Sequence, residues 1–236
     1  MTDPLRVILE IGKKRRVAAA AMDWPGLDRW GTSEEGATEK LLSYVPRYAG
    51  VAARAGLVRA FARAREVDVV ERVPGSSSTD FWGVAHVPSQ IEREVLSATD
   101  LERRLDLLRA CWATFDHVAA RASLELLPGP RSAGRTRDQI IRHVYANEPD
   151  QYSRKVEVRT ELDVVFTPSG RKLHHEAYLD AIRAYNADGK PARNWPIQFL
   201  IRRTAQHVMD HLWELEDRDP AHRDRVARAT KTAGKA

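Results

Sequence analysis

Gln206-His207-Val208-Met209-Asp210-His211-Leu212-Trp213-Glu214 sets two histidines four residues apart. The run around them is apolar at helical spacing through Phe199, Leu200, Ile201, Ala205, Val208 and Leu212. Four residues advance a helix by one turn plus ~40°, so both imidazoles leave one face, one above the other. At that spacing one helix can offer two nitrogens to one metal ion. Trp195-Pro196-Ile197 opens the helix, with Pro196 in the first turn, and Asp219-Pro220 closes it. Two ligands do not make a site, so the reading turns on whether another helix brings a third.

Upstream, the chain reads as helical from Ala98 onward. Thr99-Asp100 caps a segment from Leu101 to Ser123, where Leu101, Leu105, Leu108, Trp112 and Phe115 form one apolar stripe. Cys111 falls within that pattern and reads as a small core residue. Thr136-Arg137-Asp138-Gln139 is a capping box that launches Ile140 to Asn147, and Pro149 kinks or ends the run. A third helix spans His174 to Tyr185 and stops at Asp188-Gly189-Lys190-Pro191. Four amphipathic helices with long connections predict an all-α four-helix bundle over residues 98–218.

Ile140, His143, Val144 and Asn147 share a face of the second of these helices. His143, taken alone, suits a hydrogen-bonded core histidine more than a metal ligand. Asn147 stands one turn beyond His143 and either reaches the open side of the site or faces solvent. Glu214 is three after His211 and either orients an imidazole or pairs with Arg218. Tyr145 and Tyr152 line a pocket or pack in the core. Arg142, Arg202 and Arg203 meet an anionic substrate or lie on the surface. Adjacent His174 and His175 point about 100° apart and read as surface residues. His86, His117 and His222 have no partner pattern.

The first half has a different character. Leu5–Ile11 and Arg15–Met22 suggest a strand pair across Gly12-Lys13-Lys14, and Trp24-Pro25-Gly26 is turn chemistry before a short strand to Gly31. Thr32-Ser33-Glu34-Glu35 starts a helix through Tyr48, and Glu66–Val73 reads as a further strand. The expected class is an α+β module, β-β-β-α-β, over residues 1–75. A polar linker follows over 76–97, with Phe81-Trp82 docked on a domain. The bundle comes next, and then a basic flexible tail over 219–236.

Composition narrows the rest. Of 236 residues, 43% are hydrophobic and 30% charged, as in an ordinary soluble globular protein, and one cysteine excludes an internal disulfide. No apolar run approaches the ~20 residues of a membrane span, and Met1-Thr2-Asp3-Pro4 lacks a signal-peptide core. A reducing cytoplasm is the expected setting. The net charge of +5 sits largely in the tail, and no basic stripe with interleaved aromatics argues for nucleic acid. There is no phosphate loop, dinucleotide fingerprint or nucleophile elbow.

Two stretches carry family resemblances. DWPGLDRWGTSEEGATEKLL, residues 23–42, resembles the HicB-like antitoxin fold, which implies an interaction module without the helix-turn-helix that often accompanies it. DQIIRHVYANEPDQY (138–152) and NWPIQFLIRRTAQHVMDHLWELE (194–216), with their helix order, resemble the DinB/YfiT-like superfamily of metalloenzymes. That resemblance implies His143, His207 and His211 as ligands of a divalent Zn, Ni or Fe ion. It also implies thiol S-transferase, isomerase or hydrolase chemistry, a low-molecular-weight thiol cosubstrate and a homodimer. Asn147, Glu214, Tyr145 and Arg203 are the accompanying pocket candidates. The competing readings are a non-enzymatic scaffold with a vestigial site and an antitoxin-related interaction protein.

Overall fold

A computed structural model describes residues 4–64, 66–129 and 134–225. Strands β1 (Leu5–Ile11), β2 (Val17–Ala21) and β3 (Asp28–Gly31) precede helix α1 (Glu34–Arg54). The short α2 (Val58–Phe61) leads to β4 (Val67–Pro74). The sheet order is β3-β2-β1-β4, antiparallel except for the parallel β1–β4 pair, which carries a bulge between Val7 and Ile8. Strand alternation divides the side chains between two faces. Val7, Leu9, Ala19 and Ala21 join the main core with α1, while Ile8, Ala18, Ala20 and Met22 pack with Ala85 on the other side. Covering on both faces explains why β2 is rich in alanine and wholly buried.

The helix start expected at Thr32-Ser33 lies at Ser33, whose hydroxyl accepts from Gly36 N at 3.0 Å, with Glu34 and Glu35 in the first turn. Gly31 is required there because a Cβ would come within 2.4 Å of Ala37 N.

The stretch 76–97, read from sequence as a linker, is packed structure. It holds α3 (Ser77–Trp82), the buried Ala85 and Ser89, and a 3-10 turn at Ile91–Arg93. Phe81 and Trp82, expected to dock on a domain, stay 62% and 57% exposed and meet each other edge to face.

The second half is mostly helical: α4 (Ala98–Ala119), α5 (Arg137–Asn147), α6 (Leu162–Val165), α7 (Pro168–Ala187) and α8 (Ile197–Arg218). The cap of α4 is Ser97, two residues before the expected one, because its hydroxyl reaches Asp100 N at 3.1 Å. Helix α7 begins six residues before His174, at Pro168, capped by Thr167. The Thr136–Gln139 capping box forms as read. At Pro149 the chain neither stops nor bends back; it widens into a π-helical turn, Glu148–Tyr152. Proline supplies no N–H for the regular ladder and its ring crowds the preceding carbonyl, so the bonding is displaced.

Helices α4, α5 and α7 all pack on α8. One apolar cluster takes Leu9, Trp24 and Tyr48 from the first half and Leu108, Phe115, Leu212 and Trp213 from the second. The Trp24-Pro25-Gly26 turn lies directly on α8: Gly26 has φ +93°, and a Cβ there would meet Met209 Cγ at 2.7 Å. Among the described residues no helix is long and apolar enough to cross a membrane. Residues 220–225 are helical, and the tail from 226 on lies outside the described residues.

Candidate metal centre

The amphipathic α8 buries its apolar face and turns His207 and His211 toward α5. There His143 meets them. Its Nε2 is 3.1 Å from His207 Nε2, and the candidate donor atoms of all three imidazoles lie within 4.8 Å of one another. A tetrahedral ion with bonds of about 2.0–2.1 Å holds its nitrogens about 3.4 Å apart. The spacing therefore suits one ion with small ring rotations, and the residues present fit a divalent metal.

Electrostatics agrees with the geometry. Burial, then the neighbouring His211 and Arg135, lowers the His143 imidazole to about 4. Burial, His211 and His143 push His207 well below its ordinary value. Both stay neutral at physiological pH, the form a metal requires. His211 Nδ1 lies 2.8 Å from Glu214 Oε2, which fixes the proton on Nδ1 and turns Nε2 to the cluster. The other carboxylate oxygen of Glu214 accepts from Arg218 at 2.8 Å, so the two roles considered for Glu214 coexist. Asn147 Nδ2 sits 2.8 Å from His207 Nε2, so this half-buried side chain borders the cluster on its open side.

The triad opens into a cleft of about 730 Å³ between the helical half and the segment 76–97. Trp82, His86, Tyr152, Lys155, Trp195 and Arg203 are among its walls. The Tyr152 ring centre is 5.7 Å from that of His207. His86 packs edge-on to Trp195 and Phe199, and burial lowers it to about 4. His143 and Asn147 also border a second cavity of about 490 Å³ beside Pro149 and Arg159.

Tyr145 is not part of this cleft. Its hydroxyl donates to Asp116 at 2.7 Å, and Arg171 lies 3.8 Å from its ring centre. Arg203 does line the cleft, but as a buried residue. Arg202, also considered as a surface or substrate-facing group, is fully enclosed by Glu92 and Asp28.

The reading of His174 and His175 as surface residues is overturned. His174 is 3% exposed, and the two Nε2 atoms lie 3.2 and 3.1 Å from Glu148 Oε1, with His175 stacked on Trp112 at 3.8 Å. They diverge at the backbone but close on one carboxylate, which the π turn carries between α5 and α7. Sequence spacing also gave no sign of His86, Lys155, Trp82 or Gln206 at the cleft, because tertiary packing alone brings them there. Compared with family models, curated proteins and solved structures, the chain gives no match to any of them.

Proposed function

We propose that this chain is a metal-dependent enzyme of the DinB/YfiT-like kind, with α4, α5, α7 and α8 as its four-helix bundle. His143, His207 and His211 would hold a divalent ion; imidazole suits Zn, Ni and Fe alike. The observation that carries this reading is the meeting of three neutral imidazoles from two helices at the floor of an open cleft. Structural metal sites are closed by four protein ligands. Here no fourth histidine, cysteine or carboxylate ligand joins the triad among the described residues. That difference favours chemistry over a vestigial scaffold site.

A bound ion of this kind supplies Lewis acidity and lowers the pKa of a water or thiol beside it. The protein's own groups do the rest. Glu214 keeps the Nδ1 proton of His211 in place, so the imidazole presents one orientation. Asn147 offers an amide at the open side, and Tyr152 and Trp195 exclude water from one wall. The proposed reaction is transfer to or from a low-molecular-weight thiol, or hydrolysis. Metal analysis of protein purified without an affinity tag tests the reading. About one ion per chain is expected, with near-complete loss in His207→Ala; a metal-free wild type, or a variant with unchanged content, would overturn it.

A further inference from the structure

We propose that the cleft binds a small organic carboxylate, seated on the unpaired edge of Arg203 one helical turn before His207. The proposal rests on the reading of the cleft as a substrate site, though not on the presence of a metal. Three other arginines show how this protein holds carboxylates. Arg183 grips Glu102 through Nε and Nη2 at 2.6 and 2.9 Å, Arg202 grips Glu92 at 2.6 and 3.2 Å, and Arg6 grips Asp23 at 2.9 and 2.7 Å. This side-on pair is the fork that matches a carboxylate's two oxygens.

Arg203 is far more enclosed than Arg183 or Arg6, at 7% exposure, yet its fork is unused. Its Nη1 donates to Gln206 Oε1, and its Nε is buried without a hydrogen-bond partner. A buried N–H left unpaired costs roughly 1–3 kcal/mol, so a native one calls for an explanation. Neither neighbouring acid pairs with it: Asp210 pairs with Arg29 at 3.1 Å and accepts from Gln206 Nε2, and Asp28 pairs with Arg202 at 3.3 Å.

The surroundings select the same ligand. Arg135, Lys155 and Arg203 face the cleft against Asp210 alone among its carboxylates, and a concave site with that imbalance concentrates anions. Lys155 Nζ stands 3.9 Å from the Trp195 ring centre, and Tyr152 flanks the same wall, so flat apolar surface adjoins the charge. Arg203 and His207 are four residues apart, about 6 Å along the helix axis. A carboxylate on Arg203 therefore leaves room for only a few atoms before the histidines.

Calorimetric titration of the full chain, metal-stripped and zinc-loaded, with benzoate, benzamide and inorganic phosphate tests this. Benzoate is expected to bind both forms, and benzamide neither. Arg203→Lys keeps the charge but loses the fork, and roughly a tenfold weaker affinity is expected, the equivalent of one charge-assisted hydrogen bond. Zinc content should be unchanged in that variant. Lys155→Gln, near the rim, should weaken benzoate about threefold; if Arg203→Lys misfolds by circular dichroism, this variant decides. Equal binding of benzamide, unaltered affinity in the variants, or tighter binding of phosphate would each overturn the assignment. Binding confined to the zinc form and indifferent to Arg203 would place the carboxylate on the metal and overturn it too. Arg203-dependent binding in a protein that takes up no zinc would sink the metalloenzyme reading while leaving this one standing.

Discussion

At the residue scale, Glu214 and Glu148 each hold histidines, with separable consequences. Glu214→Gln keeps the size of the side chain but removes the charge that fixes the His211 tautomer. Metal affinity, read by competition with a chromophoric chelator, is expected to fall about 10–100-fold with little change in melting temperature. Glu148 acts on the fold itself. Burial raises its pKa, but His175 and His174 outweigh that and bring the carboxyl down to about 2 from 4.5. A depressed acid stabilises the folded state above its unfolded pKa, and that stability is lost as pH falls through the folded value. The window is therefore pH 4.5 down to 2, and the contribution is at most about 3 kcal/mol. Urea midpoints measured at pH 6 and pH 3 should differ more in wild type than in Glu148→Gln; equal differences would show that the carboxylate contributes no such linkage. His143 carries the opposite charge but the same sign of pH effect. Its folded value near 4 lies below 6.5, so the stability its neutral form contributes is lost as pH falls from about 6.5 to 4.

At the element scale, what was legible in the sequence was local. The Ser33 start, the Thr136–Gln139 box and the four-residue spacing of His207 and His211 are decided within a turn or two of helix, where side chain and backbone groups meet regardless of the rest. His143, read from its own apolar face, suits a core histidine; only the DinB/YfiT-like resemblance set it beside the pair, where the structure places it. What escaped depends on distant partners. Arg202 looks like a surface residue until Glu92 and Asp28 arrive from other elements, and His174 and His175 look divergent until the π turn delivers Glu148 between them. Phe81 and Trp82 look too apolar to leave exposed, and no spacing rule indicates otherwise. The proline-glycine turn is a case in between. Its turn chemistry is readable at Trp24-Pro25-Gly26, but not its contact with α8. Gly26→Ala would impose a side chain at φ +93° and press it against Met209 and the Ala205 carbonyl. A loss of about 2–3 kcal/mol is expected from denaturant unfolding; a loss below 0.5 kcal/mol would mean that the turn is free to move off the helix.

At the scale of the whole molecule, the sheet and the helices share one apolar cluster and one buried charge network. Arg103 donates to the Asp23 carbonyl at 2.9 Å, Arg104 to that of Met22, and Tyr48 to that of Pro25 at 2.7 Å. Arg202 on α8 joins Asp28 on β3 to Glu92 in the 3-10 turn, all three within 5% exposure. Arg103, Arg104 and Asp28 each lose a partner if either half stands alone, and the apolar faces of α4 and α8 would be left in water. The full chain is therefore expected to unfold in a single transition, with far-ultraviolet circular dichroism and tryptophan fluorescence superimposing. Residues 76–236 alone should melt without cooperativity. Arg202→Met removes the cation that pairs with both buried acids, so a loss of about 3–5 kcal/mol is expected, and Glu92→Gln added to it should restore part of that loss. Two resolved transitions in the wild type, or a helical half that melts as sharply as the whole, would show instead that the sheet is an accessory to an independent domain. The walls of the cleft contributed by Trp82 and His86 would then belong to a separable unit, and binding in the cleft would vary with how the two units sit together.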